Sequence, residues 1–263
     1  MNWLTSLPLV WLCLGCVGIA LLMAFGARAL AHATMDEAHR DRALAISAGI
    51  MSPLGAGFAI LAALTLANAA QHLSSGESIV SSEAANASRL AWASTTHGVD
   101  TDSIQTALGQ YLVATRTFEW HGTQATNGVD APTATALAKL ENVVRVQATK
   151  PGIGTPTSTE LLSSVDAITS DRRSRLAAAA TQLPSLYVVI LAISGAALVV
   201  NAGVLTMYAT RRTVWIIGGL TLVIGLSIAL ILGLNSPWQG PVGVSGHAID
   251  TVIADLQRGY FHA

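Results

Sequence analysis

The side chains best equipped for chemistry are charged groups in the middle of the chain: Glu83, Arg116, Glu119, Arg172, Arg173 and Arg175. Carboxylates and guanidiniums in that number admit two uses. Arranged as rings around a vestibule, arginines attract anions and glutamates attract cations. Paired with one another, Glu83 and Glu119 would instead take up the arginines and hold helices together, and this structural pairing is the first reading. Catalytic constellations are absent: no Gly-x-Ser-x-Gly or His-Glu-x-x-His motif occurs. His72, His97 and His121 have neither a His-x-x-x-His spacing nor a cysteine companion, so no metal site is expected. Cys13-x-x-Cys16 lies in an apolar run, not beside the βαβ pattern in which that spacing signals redox chemistry, and reads as two small lipid-buried side chains. These residues predict a protein that is not an enzyme and needs no cofactor.

The elements that must position such charges are dominated by apolar runs. Of 263 residues, 52% are hydrophobic and only 11% charged, against about 25% charged in an ordinary soluble domain. The net charge of -1 offers no electrostatic argument for nucleic acid as a partner. A helix needs about 20 apolar residues to cross a bilayer, and it satisfies its own backbone groups while doing so. Four stretches qualify, at about 7–30, 47–70, 185–208 and 214–234. The first lacks the basic start of a cleaved signal peptide and reads as an uncleaved span. A polar loop is expected over 27–44, and a tight Arg211-Arg212 turn between the last two spans. The prolines of the segment after Leu234 forbid that helix to continue.

The spans hold no ionisable residue near their centres, which argues against a proton-coupled pump or ion-driven carrier. Asn201, in the third span, is expected to bond a neighbouring helix. The second span is rich in small residues, and near its end Thr65, Asn68 and His72 share a helical face. That polar stripe lines a wet path or marks the helix leaving the membrane.

Residues 73–182 contain no further span and read as a helical subdomain. Glu77, Ile79, Glu83, Leu90 and Trp92 continue the second span's helix. A second helix runs over 100–120, a third starts at Asp130 and Pro132, and a fourth starts near Thr157 after the break at Pro151, Gly152, Gly154 and Pro156. The fourth feeds through Arg172, Arg173 and Arg175 into the third span. In the tail, Ser245 is a candidate cap for a short amphipathic helix with Ile249, Val252, Ile253 and Leu256 on one stripe. The fold class is thus all-α and integral to the membrane: two transmembrane hairpins, with a helical extramembrane insert between spans 2 and 3. The expected domains are an N-terminal hairpin (1–72), the insert (73–182), a C-terminal hairpin (183–235), and a Pro/Gly segment with a short helix (236–263).

Orientation turns on positive charge. The short loops hold Arg28, Arg40, Arg42, Arg211 and Arg212, whereas the termini hold only Arg258. By the positive-inside rule the short loops are cytoplasmic, although Arg172, Arg173 and Arg175, within about 15 residues of the third span, count for the insert's side. A multi-pass protein of the plasma (bacterial inner) membrane is expected, with insert and both termini outside.

The order of these features resembles the bestrophin-like bacterial membrane proteins of the DUF4239 family, over nearly the whole chain. Glu83-Ala84 matches that family's Glu-Ala at the start of the insert. Tyr111 to Glu119-Trp120 matches a Tyr-rich helix ending in Glu-Trp, and Asp171-Arg172-Arg173-Ser174-Arg175-Leu176 an Arg-rich helix before the third span. Leu234-Asn235-Ser236-Pro237-Trp238-Gln239-Gly240 is similar to a final Leu-Asp-x-Pro-Phe-x-Gly, departing from it at Asn235 and Trp238. The resemblance implies a homo-oligomeric ring, a pentamer among the options, that passes ions and anions in particular. It also implies a cytoplasmic insert, the opposite of the charge count. In such a channel the second span lines the pore through Ser52, Gly55, Phe58, Ala59, Ala62, Thr65 and Asn68. The competing reading is a membrane-anchored scaffold or regulatory protein that acts through the insert without conduction.

Overall fold

The computed structural model describes residues 9–120, 131–181, 184–207, 211–234, 238 and 243–261. Among them every regular element is a helix. The helices are α1 (Leu9–Thr34), α2 (Glu37–Ala93), α3 (Thr101–Phe118), α4 (Ala131–Ala148), α5 (Thr155–Ala180), α6 (Ser185–Leu205), α7 (Arg211–Leu234) and α8 (His247–Gln257). The chain divides into two compact units. One comprises Met1–Gln71, Gln182–Ser236 and Gly240–Val242, and the other His72–Thr181, Pro237–Gln239 and Gly243–Ala263. Four helical stretches are long and apolar enough to cross a membrane. The protein is an all-α, four-span membrane protein with a helical insert between its second and third spans.

In the membrane unit, α1 packs mainly on α6 and α7, and less on its sequence neighbour α2. Two glycines permit that closeness. A Cβ at Gly203 of α6 would lie 2.4 Å from the Ala24 carbonyl oxygen, and one at Gly225 of α7 would lie 2.8 Å from the Val17 Cα. Without a hydrophobic drive between helices in lipid, such backbone approach is what holds spans together. Phe58 of α2 joins Ala20, Leu191, Leu198, Val199, Ile224 and Ile231 in the core of this unit. Asn201 bonds a neighbouring helix as expected, its Nδ2 donating to the Ser47 carbonyl at 2.9 Å and lying 3.2 Å from Met51 Sδ.

The expected loop over 27–44 is a two-residue break at Met35 and Asp36. Of the charged residues that suggested a loop, Arg28, Glu37, Arg40 and Arg42 are good helix formers, so both helices run on past their apolar runs. The break is closed by side chains: Arg40 donates to the His32 carbonyl at 2.7 Å, and Thr34 Oγ1 donates to the Leu30 carbonyl at 2.8 Å. The His32 carbonyl, one of those left open in the last turn of α1, thereby finds a partner. Arg211 and Arg212 open α7 and do not form a turn. Cys13 and Cys16 are free thiols, half-buried on α1.

In the second unit, α3 packs on α4, α4 on α5, and α8 on α3. The core holds Leu90, Ile104, Leu108, Leu112, Leu140, Leu161 and Ile168, all fully buried. The continuation of the second span's helix to Ala93 is as read from the periodicity. The third helix begins at Ala131, and Asp130 lies outside the described residues. The fourth begins at Thr155, earlier than expected, because Pro156 fits the first turn of a helix, where its missing N–H is no loss. It ends at Ala180, and α6 starts afresh after Pro184. In the tail, Gly246 and not Ser245 takes the cap position, although Ser245 Oγ still accepts from the His247 amide at 3.3 Å.

Candidate functional site

The predicted charges converge inside the second unit. Asp100 starts α3 by accepting from the Ser103 amide at 3.2 Å, and both bonds from Ser103 hold its carboxyl below the usual range. Five turns later the helix ends on Glu119, whose amide donates to the Thr115 carbonyl at 3.0 Å. A carboxylate at a helix C-terminus opposes the macrodipole, and two arginines of α5 offset it. Arg172 and Arg175, three residues apart, share a face. Arg172 Nε donates to Glu119 Oε2 at 3.1 Å and its Nη2 to Oε1. Arg175 donates to both acids, from Nη2 to Glu119 Oε2 at 3.0 Å and from Nε to Glu83 Oε2 at 2.8 Å. The remaining Glu83 oxygen accepts from the Tyr111 hydroxyl at 2.5 Å.

Two carboxylates and two guanidiniums therefore cancel within a cluster that joins α2, α3 and α5. The Glu83 and Glu119 side chains are fully buried, that of Arg175 is 1% exposed and that of Arg172 11%. Removal of ions from water costs several kcal/mol each, so the cluster persists only because each acid oxygen is bonded. Burial, with the Glu83 charge beside it, pushes the Tyr111 hydroxyl well above its ordinary value. Burial alone would lower the Arg175 pKa, but Glu83, Tyr111 and Glu119 together outweigh it and raise it.

Arg116 belongs to a second, wetter layer. It grips Asp250 of α8 through bonds of 2.6 and 2.9 Å and lies 4.5 Å from the centre of the Trp120 ring. A Cβ at Gly246 would lie 2.4 Å from its guanidinium carbon, so a side chain there would displace Arg116 from its present position. Trp120 also faces Arg175, at 5.8 Å, and meets Trp238 edge-on at 5.5 Å. Arg173 is exposed and outside the network. Of the post-span residues, Trp238 is buried against Trp120 and Gly76, and Asn235, Pro237 and Gly240 lie outside the described residues. Reading the sequence missed two members, Tyr111 as a donor to Glu83 and Asp250 as the partner of Arg116. Tyr111 stands two turns before Glu119 on the same face. That spacing was the available signal.

The candidate pore residues separate. Helical spacing divides the membrane part of α2 into stripes. Phe58 and Thr65 are buried, Thr65 Oγ1 donating to the Leu61 carbonyl at 2.7 Å. A Cβ at Gly195 of α6 would sit 3.2 Å from the Phe58 ring. Ser52, Ala59 and Asn68 are exposed, and Gly55 and Ala62 are half-buried. Ser52, Ala56, Ala59, Ala63 and Ala67 form one exposed stripe of small side chains, and Ile46, Ile50, Ile60 and Leu64 form another of bulky ones. His72 and His97 are exposed, and His121 lies outside the described residues. Among the described residues, no His, Cys, Asp or Glu cluster could hold a metal ion.

Neither the curated proteins nor the solved structures hold a match to this chain. A family model, the bestrophin-like domain, matches residues 17–249. With four spans, a helical insert and a match over most of its length, the chain belongs to the bestrophin-like domain family.

Proposed function

We propose that this chain is one subunit of a homo-oligomeric ring, most simply a pentamer, that conducts ions passively across the plasma membrane. Anions are the favoured class, and the family's DUF4239 branch is its nearest setting. One observation carries the reading: α2 exposes a stripe of small side chains, Ser52 followed by Ala56, Ala59, Ala63 and Ala67, beside its bulky apolar one. A span facing only lipid gains nothing from that division, whereas a ring needs one face for lipid and another for an aqueous path or a neighbouring subunit. Ser52, Gly55, Ala59 and Ala62 line the path, whereas Asn68, four residues beyond Leu64, falls on the bulky stripe. Phe58 and Thr65, buried within the subunit, set its width from behind. The short-loop end with Arg28, Arg40 and Arg42 faces the cytoplasm, and the insert and termini lie outside.

A second reading, a membrane-anchored scaffold without conduction, draws on a groove of about 800 Å3 on the insert between α3 and α8, lined by Gln105, Gly109, Val113, Phe118 and Leu256 among others. The deciding experiment counts subunits in the detergent-purified protein and measures chloride and sodium flux from the same sample in liposomes. A ring with flux that falls on Ala59→Trp supports the channel. A monomer or dimer without flux overturns it in favour of the scaffold.

A further inference from the structure

The second span carries a weak point between two anchors. Pro53 sits within α2, which continues as helix on both sides. Proline has no amide hydrogen to donate to the residue four before it, and its ring crowds that carbonyl. The Gly49 carbonyl therefore lacks its helical partner. Gly49, Gly55 and Gly57 flank the proline, and each lowers helix stability by about 1 kcal/mol relative to alanine. Packing within the chain does not require them, since a Cβ at any of the three would meet nothing within 4 Å. Residues 49–57 are thus the least helix-favouring stretch of this span.

Both ends of the stretch are fastened. On its N-terminal side Asn201, itself buried, donates to the Ser47 carbonyl, and it also touches Sδ of Met51 within the stretch. On its C-terminal side Phe58 is 6% exposed and seated against Gly195, Leu191 and Ile224 of the neighbouring spans. The Asn201 bond is added to a carbonyl that the helix can satisfy alone, so it can release without orphaning a backbone group. The Phe58 contact is tight packing, which cannot release without a cavity. One anchor is a latch and the other a pivot.

We infer that residues 49–57 are a hinge in the second span, latched by Asn201, on which the N-terminal part of the span swings about Phe58. The hinge itself does not depend on conduction. Its role as the gate rests on the channel reading above.

The test places spin labels at Ile46→Cys and Ile60→Cys, both on the bulky exposed stripe, in the full chain with Cys13 and Cys16 changed to alanine. Labelled protein is diluted with unlabelled protein in liposomes. The labelled positions lie about 21 Å apart along a straight helix. A hinge gives a two-component distance distribution that loses its bent component on Pro53→Ala and gains in it on Asn201→Ala. A single distance, unchanged by either substitution, overturns the hinge whatever the flux. If the two components respond as stated, flux in the same liposomes decides the rest. Flux that changes with them makes the hinge the gate, flux indifferent to them overturns the gating role, and absent flux overturns the channel reading while the hinge stands.

Discussion

Arg175 and Glu83 meet at 2.8 Å with the arginine side chain 1% exposed and the glutamate fully buried. They are 92 residues apart in sequence, one on the last helix before the third span and the other on the helix of the second. A buried pair contributes little net stability over an apolar substitute, but the loss of one partner strands the other. Glu83→Ala is expected to lower stability by about 3–5 kcal/mol. Adding Arg175→Met should recover a large part of that loss. Chemical denaturation of the two variants and of Arg175→Met alone, in detergent, measures the difference. A double-variant loss equal to the sum of the losses of Glu83→Ala and of Arg175→Met alone would show that the pair is not coupled.

Tyr111 provides a pH readout of the same cluster. Its folded pKa is raised by burial and by Glu83, so its contribution to stability is whole below the unfolded value of about 10. The contribution is lost as pH rises from there towards the folded value. Ultraviolet titration should show one tyrosine that ionises only as the insert unfolds. In Tyr111→Phe that late component is expected to vanish, and Glu83, short of one donor, should cost the insert about 1–3 kcal/mol.

Gly203 and Gly225 are expected to be intolerant in a way that Gly15 and Gly18 are not. Gly203→Ala places a methyl against the Ala24 carbonyl, and Gly225→Ala one against the Val17 backbone. Each should cost about 1–3 kcal/mol by overpacking. Gly15→Ala and Gly18→Ala, where a Cβ meets nothing within 4 Å, serve as controls. Melting temperatures in detergent separate the two groups.

Phe58 and Ala59 are neighbours with opposite expected phenotypes. Phe58→Ala removes a buried ring and should destabilise the protein by about 3–5 kcal/mol. Ala59→Trp adds bulk to an exposed position and should leave the melting temperature alone while lowering flux. A stable Phe58→Ala variant with altered flux would instead place that ring on the ion path.

Orientation is open to a direct test. Single cysteines at Asp36 and His97, in a background lacking Cys13 and Cys16, are both exposed. The charge count predicts that an impermeant thiol reagent added outside cells labels position 97 and spares position 36. The reverse pattern would put the insert in the cytoplasm.

The four spans were legible in the sequence because a bilayer demands about 20 apolar residues per helix, and a run of that length admits few other readings. The continuous helix through Glu83 and Leu90, the helix from Thr101, and the bond from Asn201 to a neighbour were legible for a similar reason, since periodicity and caps act over a few residues. The candidate charges were nameable from residue type alone. Their pairing was not. Arg175 bridges Glu83 and Glu119 while Arg173, two residues away, stays exposed, a choice made by the face of α5 that meets α2 and α3. The same holds within the second span. Thr65 and Asn68 are both polar and three residues apart, yet one is buried and the other exposed, because the burial of a helical face depends on which helices pack there. Local sequence sets the elements, where backbone bonding and lipid act residue by residue. Which polar groups meet, and which small residues remain open to a partner, is decided by contacts between segments distant in the chain.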